Sequence, residues 1–318
     1  MAFNTSSKPI ITEVVLLGFS NLLQLQKPLF FLFLFMYILT LLGNALVILL
    51  IQMDHHLHTP MYFFLKNLSW LEIIITTTVT PKMLTLLIST DNTISFFACA
   101  LQGYIYFVAG STEVLLLAAM SVDRYVAICS PLRYTAIMSA RVCLLMVLSC
   151  WLCSFFSISA SMVLKAGLPF CGPNIIDHFF CDSGPLLEMI CSDIHFLQAL
   201  DLAVSCFMLL SSVSVTTVSY ICIIITVMRM PSAKGRKKAF GTCTSHITVA
   251  SLYYGSSIFI YIKPSGSSSI EFNKIATVFN TVVTPLLNPV IYSFRNKTVK
   301  EALKDALRRM QAALHSEV

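Results

Sequence analysis

Residues 96–128 read FFACALQGYIYFVAGSTEVLLLAAMSVDRYVAI, an almost unbroken apolar run that ends by setting Asp123 beside Arg124. Its apolar positions are continuous rather than alternating, which excludes a barrel strand and reads as a helix. From Cys99 to Arg124 is 25 residues, roughly 37 Å at the helical rise. The hydrocarbon core of a bilayer is about 30 Å thick. The stretch is therefore a rod joining two aqueous surfaces, with a cysteine at one end and an adjacent acid–base pair at the other. An anchor needs a rim charge but not a neighbouring pair of opposite charges, so the pair asks for a further role.

Six more runs of this kind flank it, at 28–51, 61–86, 142–164, 196–228, 239–262 and 272–294. The second and the seventh in chain order are interrupted by polar residues. Only 11% of the 318 residues are charged and 57% are hydrophobic, against about a quarter charged in soluble domains. The expected fold class is an all-α membrane protein: a bundle of seven transmembrane helices at 28–294, after an extracellular N-terminus of 27 residues. Residues 295–318 form the cytoplasmic tail. Within it Val299, Leu303, Ala306, Leu307, Met310 and Leu314 recur at helical spacing among Lys300, Lys304, Arg308 and Arg309, the pattern of an amphipathic eighth helix lying in the membrane interface.

Lys and Arg set the orientation. With the N-terminus outside, fifteen of the twenty-one fall on the cytoplasmic side, and Lys8, Lys27, Lys82, Lys165, Lys263 and Lys274 fall outside. The net charge of +6 thus reflects topology, and no nucleic-acid patch is expected. The first 27 residues carry no cleavable leader pattern. Asn4-Thr5-Ser6 is a glycosylation acceptor on the side that meets the lumen.

The long connection 165–195 holds Cys171, Cys181 and Cys191, and Cys99 opens the third span. Four cysteines on an oxidising face allow three pairings, and spacing does not choose among them. The other seven cysteines read as packing residues. Inside the bilayer the informative polar positions are Asn44, Glu72, Glu113, Asp123 and Asn288. If Glu72 and Glu113 converge, they need either a cation, with sodium the natural candidate, or shared protons. Pro285 and Pro289 each remove a helix hydrogen bond and bend the chain, as a hinge or as a fixed kink, and a neighbouring Asn can satisfy a freed carbonyl. His55, His56 and His58 share one polar loop, more often a loop than a metal cluster. Motifs of hydrolases, metalloproteases and nucleotide-binding enzymes are missing, so no enzyme is expected.

The ordered motifs LLGF (16–19), GN (43–44), HTPMYFFLKNLS (58–69), PKML (81–84), MSVDRYVAICSPLRY (120–134), SY (219–220), KAFGTCTSH (238–246) and PLLNPVIYSFRN (285–296) resemble those of olfactory receptors, rhodopsin-like G-protein-coupled receptors, of the tetrapod-type branch. The resemblance implies disulfides Cys99–Cys181 and Cys171–Cys191. It implies that Asp123 restrains Arg124 at rest, within the motif that continues to Tyr125. On activation Tyr220 and Tyr292 would support the opened state, with Lys238, His246, Asn288 and Pro289 in the same cytoplasmic control. Asn44, Glu72, Glu113 and Asn288 would surround a sodium site. Ser121, Val122 and Gly241 depart from the usual motifs. The tryptophan of the toggle in other rhodopsin-like receptors is replaced by LYYGSS (252–257), with Tyr254 in its place.

A ligand pocket between the outer halves of the third, fifth, sixth and seventh helices would use Tyr106, Phe107, Gly110, Ser111, Ser205, Met208, Tyr254, Ser257, Ile258, Tyr261, Val278 and Thr281. None is charged, which favours small, mostly neutral volatiles, with Asp201 the exception to watch. About ten heavy atoms at about −0.5 kcal/mol each give roughly −5 kcal/mol, or on the order of 100 μM. The expected function is an odorant receptor at the plasma membrane of olfactory cilia that raises cyclic AMP through a stimulatory G protein, with trafficking accessory proteins as further candidate partners. A same-fold receptor for an endogenous metabolite is the main rival. A transporter or channel would call for repeats or a charged pore.

Overall fold

The computed structural model describes residues 11–19, 24–261, 268–295, 299–305, 308 and 311, apart from the side chains of 238, 242, 259–261, 268–270 and 293–295. Seven long helices form one bundle: α1 (Gln26–Met53), α2 (Pro60–Ile88), α3 (Phe96–Cys129), α4 (Ala140–Ala166), α5 (His195–Met228), α6 (Ala233–Tyr261) and α7. The last runs as Ser268–Val278, a π-helical turn at Phe279–Val283, and Thr284–Arg295. Six described helices are long and apolar enough to cross a bilayer; α6, whose first turns carry Lys234, Arg236 and Lys237, is the one that falls short. It still packs within the bundle, against α3, α5 and α7.

Three of the helices, α2, α3 and α4, start where their sequence provides a start. Ser95 Oγ accepts the Ala98 N–H at the head of α3, and Ser139 Oγ accepts that of Val142 at the head of α4. Pro60 stands in the first turn of α2, where its missing N–H is harmless.

Burial divides the helices. In α3, Glu113, Asp123 and Arg124 are buried together with a long apolar face, so this helix is the axis of the bundle. On α1, α4 and α5 large apolar side chains such as Phe31, Phe35, Phe156, Phe207 and Leu210 are exposed. A soluble surface would not tolerate such a patch; a lipid environment favours it.

The two ends differ. One end carries a three-stranded sheet in the order β2-β1-β3, made of β1 (Glu13–Leu16), β2 (Thr93–Ser95) and β3 (Ile175–Ile176). β1 runs antiparallel to β2, with Val14 opposite Ile94, and parallel to β3, with Leu16 opposite Ile176. This small sheet is an addition to the all-helical expectation. Its strands are two to four residues long and come from three distant segments, so no periodicity in the sequence announces them. Disulfides Cys99–Cys181 and Cys171–Cys191 pin the same end. The other, basic end holds Arg124, Arg133, Arg141 and the start of α6. There residues 299–305 are helical, with Val299 and Ala302 buried against the bundle and Lys300 and Lys304 on the exposed side. Most of the remaining tail lies outside the described residues, as does Asn4.

Candidate functional site: a bundle cavity, a buried acidic cluster and a charged latch

Toward the disulfide end, a cavity of about 140 Å³ opens between α3, α5, α6 and α7. Tyr106, Phe107, Gly110 and Ser111 of α3, Ser205 and Met208 of α5, and Ser257 of α6 all line it. The other expected residues stand elsewhere. Ile258, one step further along α6, is 41% exposed and turns out of the bundle. Val278 packs with the sheet-end cluster around Phe179 and Phe180. Thr281 is fully buried and donates to the Thr277 carbonyl. Tyr261 has no described side chain.

Tyr254 is displaced for a specific reason. Its hydroxyl is engaged with α5, 2.6 Å from Ser212 Oγ and 3.0 Å from Thr216 Oγ1. Because Ser212 Oγ donates to the Val114 carbonyl at 2.6 Å, Tyr254 is the donor toward Ser212. The neighbouring Tyr253 faces the cavity instead, and its hydroxyl donates to the Gly110 carbonyl at 3.1 Å. One residue on a helix is a rotation of about 100°, enough to exchange the two roles.

Sequence reasoning missed the polar wall of this cavity. Asn273, Thr277 and Asn280 follow one another up α7 at spacings of four and three, and all three line the cavity. Asn280 begins within the π-helical turn and accepts from Ser256 Oγ through Oδ1. The helical spacing was readable; the inward direction was not, because spacing fixes which residues share a face and not which way that face turns. From the long connection, Phe180 closes the cavity and stacks obliquely on Tyr106, ring centroids 4.8 Å apart.

Midway along the bundle, Asn288 Nδ2 donates to Glu72 Oε1. Glu113 lies near enough to act electrostatically on Glu72. Asn44 Oδ1, Glu72 Oε2, Glu113 Oε1 and Asn288 Oδ1 are all buried without a hydrogen-bond partner among the described residues. Buried carboxylate and amide oxygens without donors can be satisfied either by a hard cation or by protons on the two acids. The proline kinks close around the same cluster. Pro289 leaves the Pro285 carbonyl unbonded, and Asn44 Nδ2 donates to it at 3.2 Å. Pro285 in turn frees the Thr281 carbonyl, which accepts from Thr76 Oγ1 at 3.4 Å. The asparagine that satisfies the kink is thus on α1, and Asn288 serves the acid instead.

At the basic end, Arg124 Nε donates to Asp123 Oδ2 at 3.0 Å, and a second guanidinium nitrogen reaches the same oxygen. Both side chains are buried. Asp123 Oδ1 accepts from Tyr134 Oη at 2.7 Å, a partner not foreseen from the sequence. Burial raises the Tyr134 phenol above its ordinary range, and Asp123 adds to the shift, so it stays a donor. His246 Nε2 lies 3.1 Å from the Leu117 carbonyl and its Nδ1 lies 2.6 Å from Tyr220 Oη. A carbonyl can only accept, so Nε2 carries the proton and Tyr220 donates to Nδ1. Tyr292 Oη is buried and has no hydrogen-bond partner among the described residues. Tyr125 points outward, 37% exposed, and the Lys238 side chain is not among those described.

These features fall in a known architecture. The sequence model of the family described as "Olfactory receptor" matches residues 33–310. The chain is 49% identical over 312 residues to human olfactory receptor 6S1, covering 98% of this chain and 94% of that one. It is 48% identical to mouse olfactory receptor 6E1, covering 95% and 96%. Among solved structures it is similar to the crystal structure of squid rhodopsin, with a TM-score of 0.72 at 17% identity, over 91% of this chain and 87% of that one. A ligand-sized cavity in a seven-helix bundle, closed at the far end by a buried acid–base pair, is the arrangement of a sensory receptor, and this chain belongs to the olfactory receptor family.

Proposed function

We propose that the cavity between α3, α5, α6 and α7 binds small neutral volatiles, and that the bound state activates a stimulatory, olfactory-type G protein and so raises cyclic AMP. The observation that supports this most is the cavity itself. Phe107, Val114, Ile158, Met208 and Leu209 make most of one wall and Asn273, Thr277 and Asn280 the other, and Asp182 of the long connection adds one carboxylate that the sequence reading did not expect in the lining. An apolar chamber with a few fixed hydrogen-bonding groups suits a molecule with one polar end.

The family places the protein in the plasma membrane as a multi-pass receptor that couples a small ligand to a G protein. The proposed orientation has the disulfide end outside, where Asn4 would be glycosylated, and the basic end in the cytoplasm of the olfactory cilium. Trafficking accessory proteins would deliver it there. In the resting state Asp123, itself held by Tyr134, holds Arg124. Swinging α6 outward breaks the Tyr220–His246–Leu117 relay, and freed Tyr220, the unpartnered Tyr292 and the released Arg124 then face the G protein together. Asn44, Glu72, Glu113 and Asn288 would hold a sodium ion, whose charge would allow both carboxylates to stay ionised.

Gly110 tests the cavity. A Cβ there would meet Tyr253 Oη at 3.7 Å, an ordinary contact. In cells given a broad panel of neutral volatiles, Gly110→Ala is expected to respond through cyclic AMP, while Gly110→Leu, whose branched end would fill the chamber, loses at least about tenfold in potency. Equal potency in the two variants at matched surface level places the ligand elsewhere.

A further inference from the structure

A second cavity, of about 90 Å³, lies beside the first between α3, α4, α5 and the long connection. The two share Phe107, Ile158, Val204 and Ser205, so they are neighbouring compartments on one wall. What separates the outer one is an ion pair. Lys165 Nζ donates to Asp201 Oδ2 and to Ser183 Oγ, both at 2.7 Å. Ser183 Oγ donates to the same carboxylate oxygen at 2.9 Å, and Ser161 Oγ donates to the other at 2.5 Å. All four residues line the cavity. Lys165 is 7% exposed.

Burying an ion pair is expensive unless its remaining hydrogen-bonding capacity is met. The Asp201 carboxylate already accepts three bonds. The Lys165 ammonium has three N–H donors and gives two of them to Ser183 and Asp201. Its third is left to a chamber whose other walls include Ala100, Phe107, Met162 and Leu186.

We infer that this outer compartment is a second ligand subsite, in which Lys165 holds the oxygen of a neutral carbonyl compound (a ketone, aldehyde, ester or lactone) whose apolar remainder passes Phe107 into the larger cavity. The inference rests on the reading that the ligand sits within the bundle. Electrostatics selects the class. A free acid would set a second carboxylate beside Asp201, and an amine a second ammonium beside Lys165. A hydrocarbon leaves the donor unmet. A hydroxyl can accept from Lys165 but must also place its proton, and the Asp201 carboxylate, which already accepts three bonds, has one acceptor position left. A carbonyl needs only a donor.

The test is direct binding to the purified full-length receptor, by saturation-transfer NMR at up to millimolar ligand. The probes are a matched eight-carbon methyl ketone, terminal alkene, carboxylate and amine. In the wild type the ketone is expected to bind about tenfold more tightly than the alkene, the worth of one hydrogen bond from a charged donor, and more tightly than the acid or the amine. Lys165→Met combined with Asp201→Leu removes the pair without stranding a charge, and should bring the ketone-to-alkene ratio close to one. Ala100→Phe fills the outer compartment from α3 with the pair intact, and should do the same; it carries the test if the double variant does not fold. A ketone that does not bind, a wild-type ratio near one, or a ratio that survives both folded variants overturns the subsite. G-protein activation by the same probes is measured separately: selective ketone binding without activation refutes the signalling reading and leaves the subsite standing.

Discussion

Asn44 on α1 donates its Nδ2 to the Pro285 carbonyl on α7, 3.2 Å away, and that carbonyl is the one Pro289 leaves without its helical partner. The kink in α7 is therefore satisfied from a different helix. The contact is close on both sides, since a Cβ on the adjacent Gly43 would come within 3.2 Å of Pro289 Cβ. Replacing Asn44 with Leu strands a buried carbonyl, and the expected loss is about 1–3 kcal/mol of stability. Thermal unfolding of the purified protein measures it; a variant as stable as the wild type would mean the carbonyl is met some other way.

Tyr134 shares Asp123 with Arg124, so it is expected to help hold the latch. Tyr134→Phe removes one hydrogen bond to a carboxylate, worth about 1.5 kcal/mol, which shifts a two-state equilibrium roughly tenfold. Ligand-independent signalling should rise by up to that factor at matched surface level. Basal signalling that stays level or falls would show that Tyr134 does not restrain Asp123.

Four buried oxygens around Glu72 and Glu113 have no partner among the described residues, and a bound cation would make stability depend on salt. Sodium chloride should raise the melting temperature of the resting receptor more than choline chloride at equal ionic strength, and Glu113→Gln should abolish the difference. If both salts act alike on the wild type, the two acids are held by protons instead.

His178 lies outside the membrane spans, between Phe179, Phe180 and the Lys274 ammonium, which is itself held by Asp177 and Glu271. Burial pushes its imidazole down to about 3, with Lys274 adding to the shift. The folded state keeps it neutral while the unfolded chain takes up a proton near pH 6.5. Its contribution to stability is therefore full above that pH and falls as the pH drops through 6.5 toward the folded value. Between pH 7.5 and 5.5 the loss is about 1.4 kcal/mol. His178→Gln should flatten that slope in a thermal melt; an unchanged slope would assign the dependence to another group.

The seven-helix architecture was legible because lipid leaves a long, unalternating apolar run as its trace. The disulfide partners were legible through ordered motifs, and the adjacent Asp123 and Arg124, whose ion pair the structure shows, were legible from the sequence itself. The position of each side chain around its helix was not. Tyr253 and Tyr254 look alike in sequence, and only the commitment of Tyr254 to Ser212 and Thr216 decides which one faces the cavity. Ile258, 41% exposed, turns outward for the same reason: spacing alone does not set the rotation of α6. Asn273, Thr277 and Asn280 share one face by their spacing, but spacing does not say which way that face turns. Lys165 and Lys274 were counted as outer-surface charges. Asp201 is 36 residues from Lys165 and Asp177 is 97 from Lys274, distances that local patterning does not bridge; Glu271, three residues before Lys274, is the one partner within its reach.

The central claim is that a ligand in the bundle is read out through Arg124. The most direct measurement is nucleotide exchange on a purified stimulatory G protein, driven by an agonist found among the volatiles, with receptor and Arg124→Ala variant reconstituted at equal density. The account predicts agonist-dependent exchange by the wild type, and a variant that binds the agonist with comparable affinity yet loses nearly all of the exchange. Undiminished exchange by Arg124→Ala would contradict it.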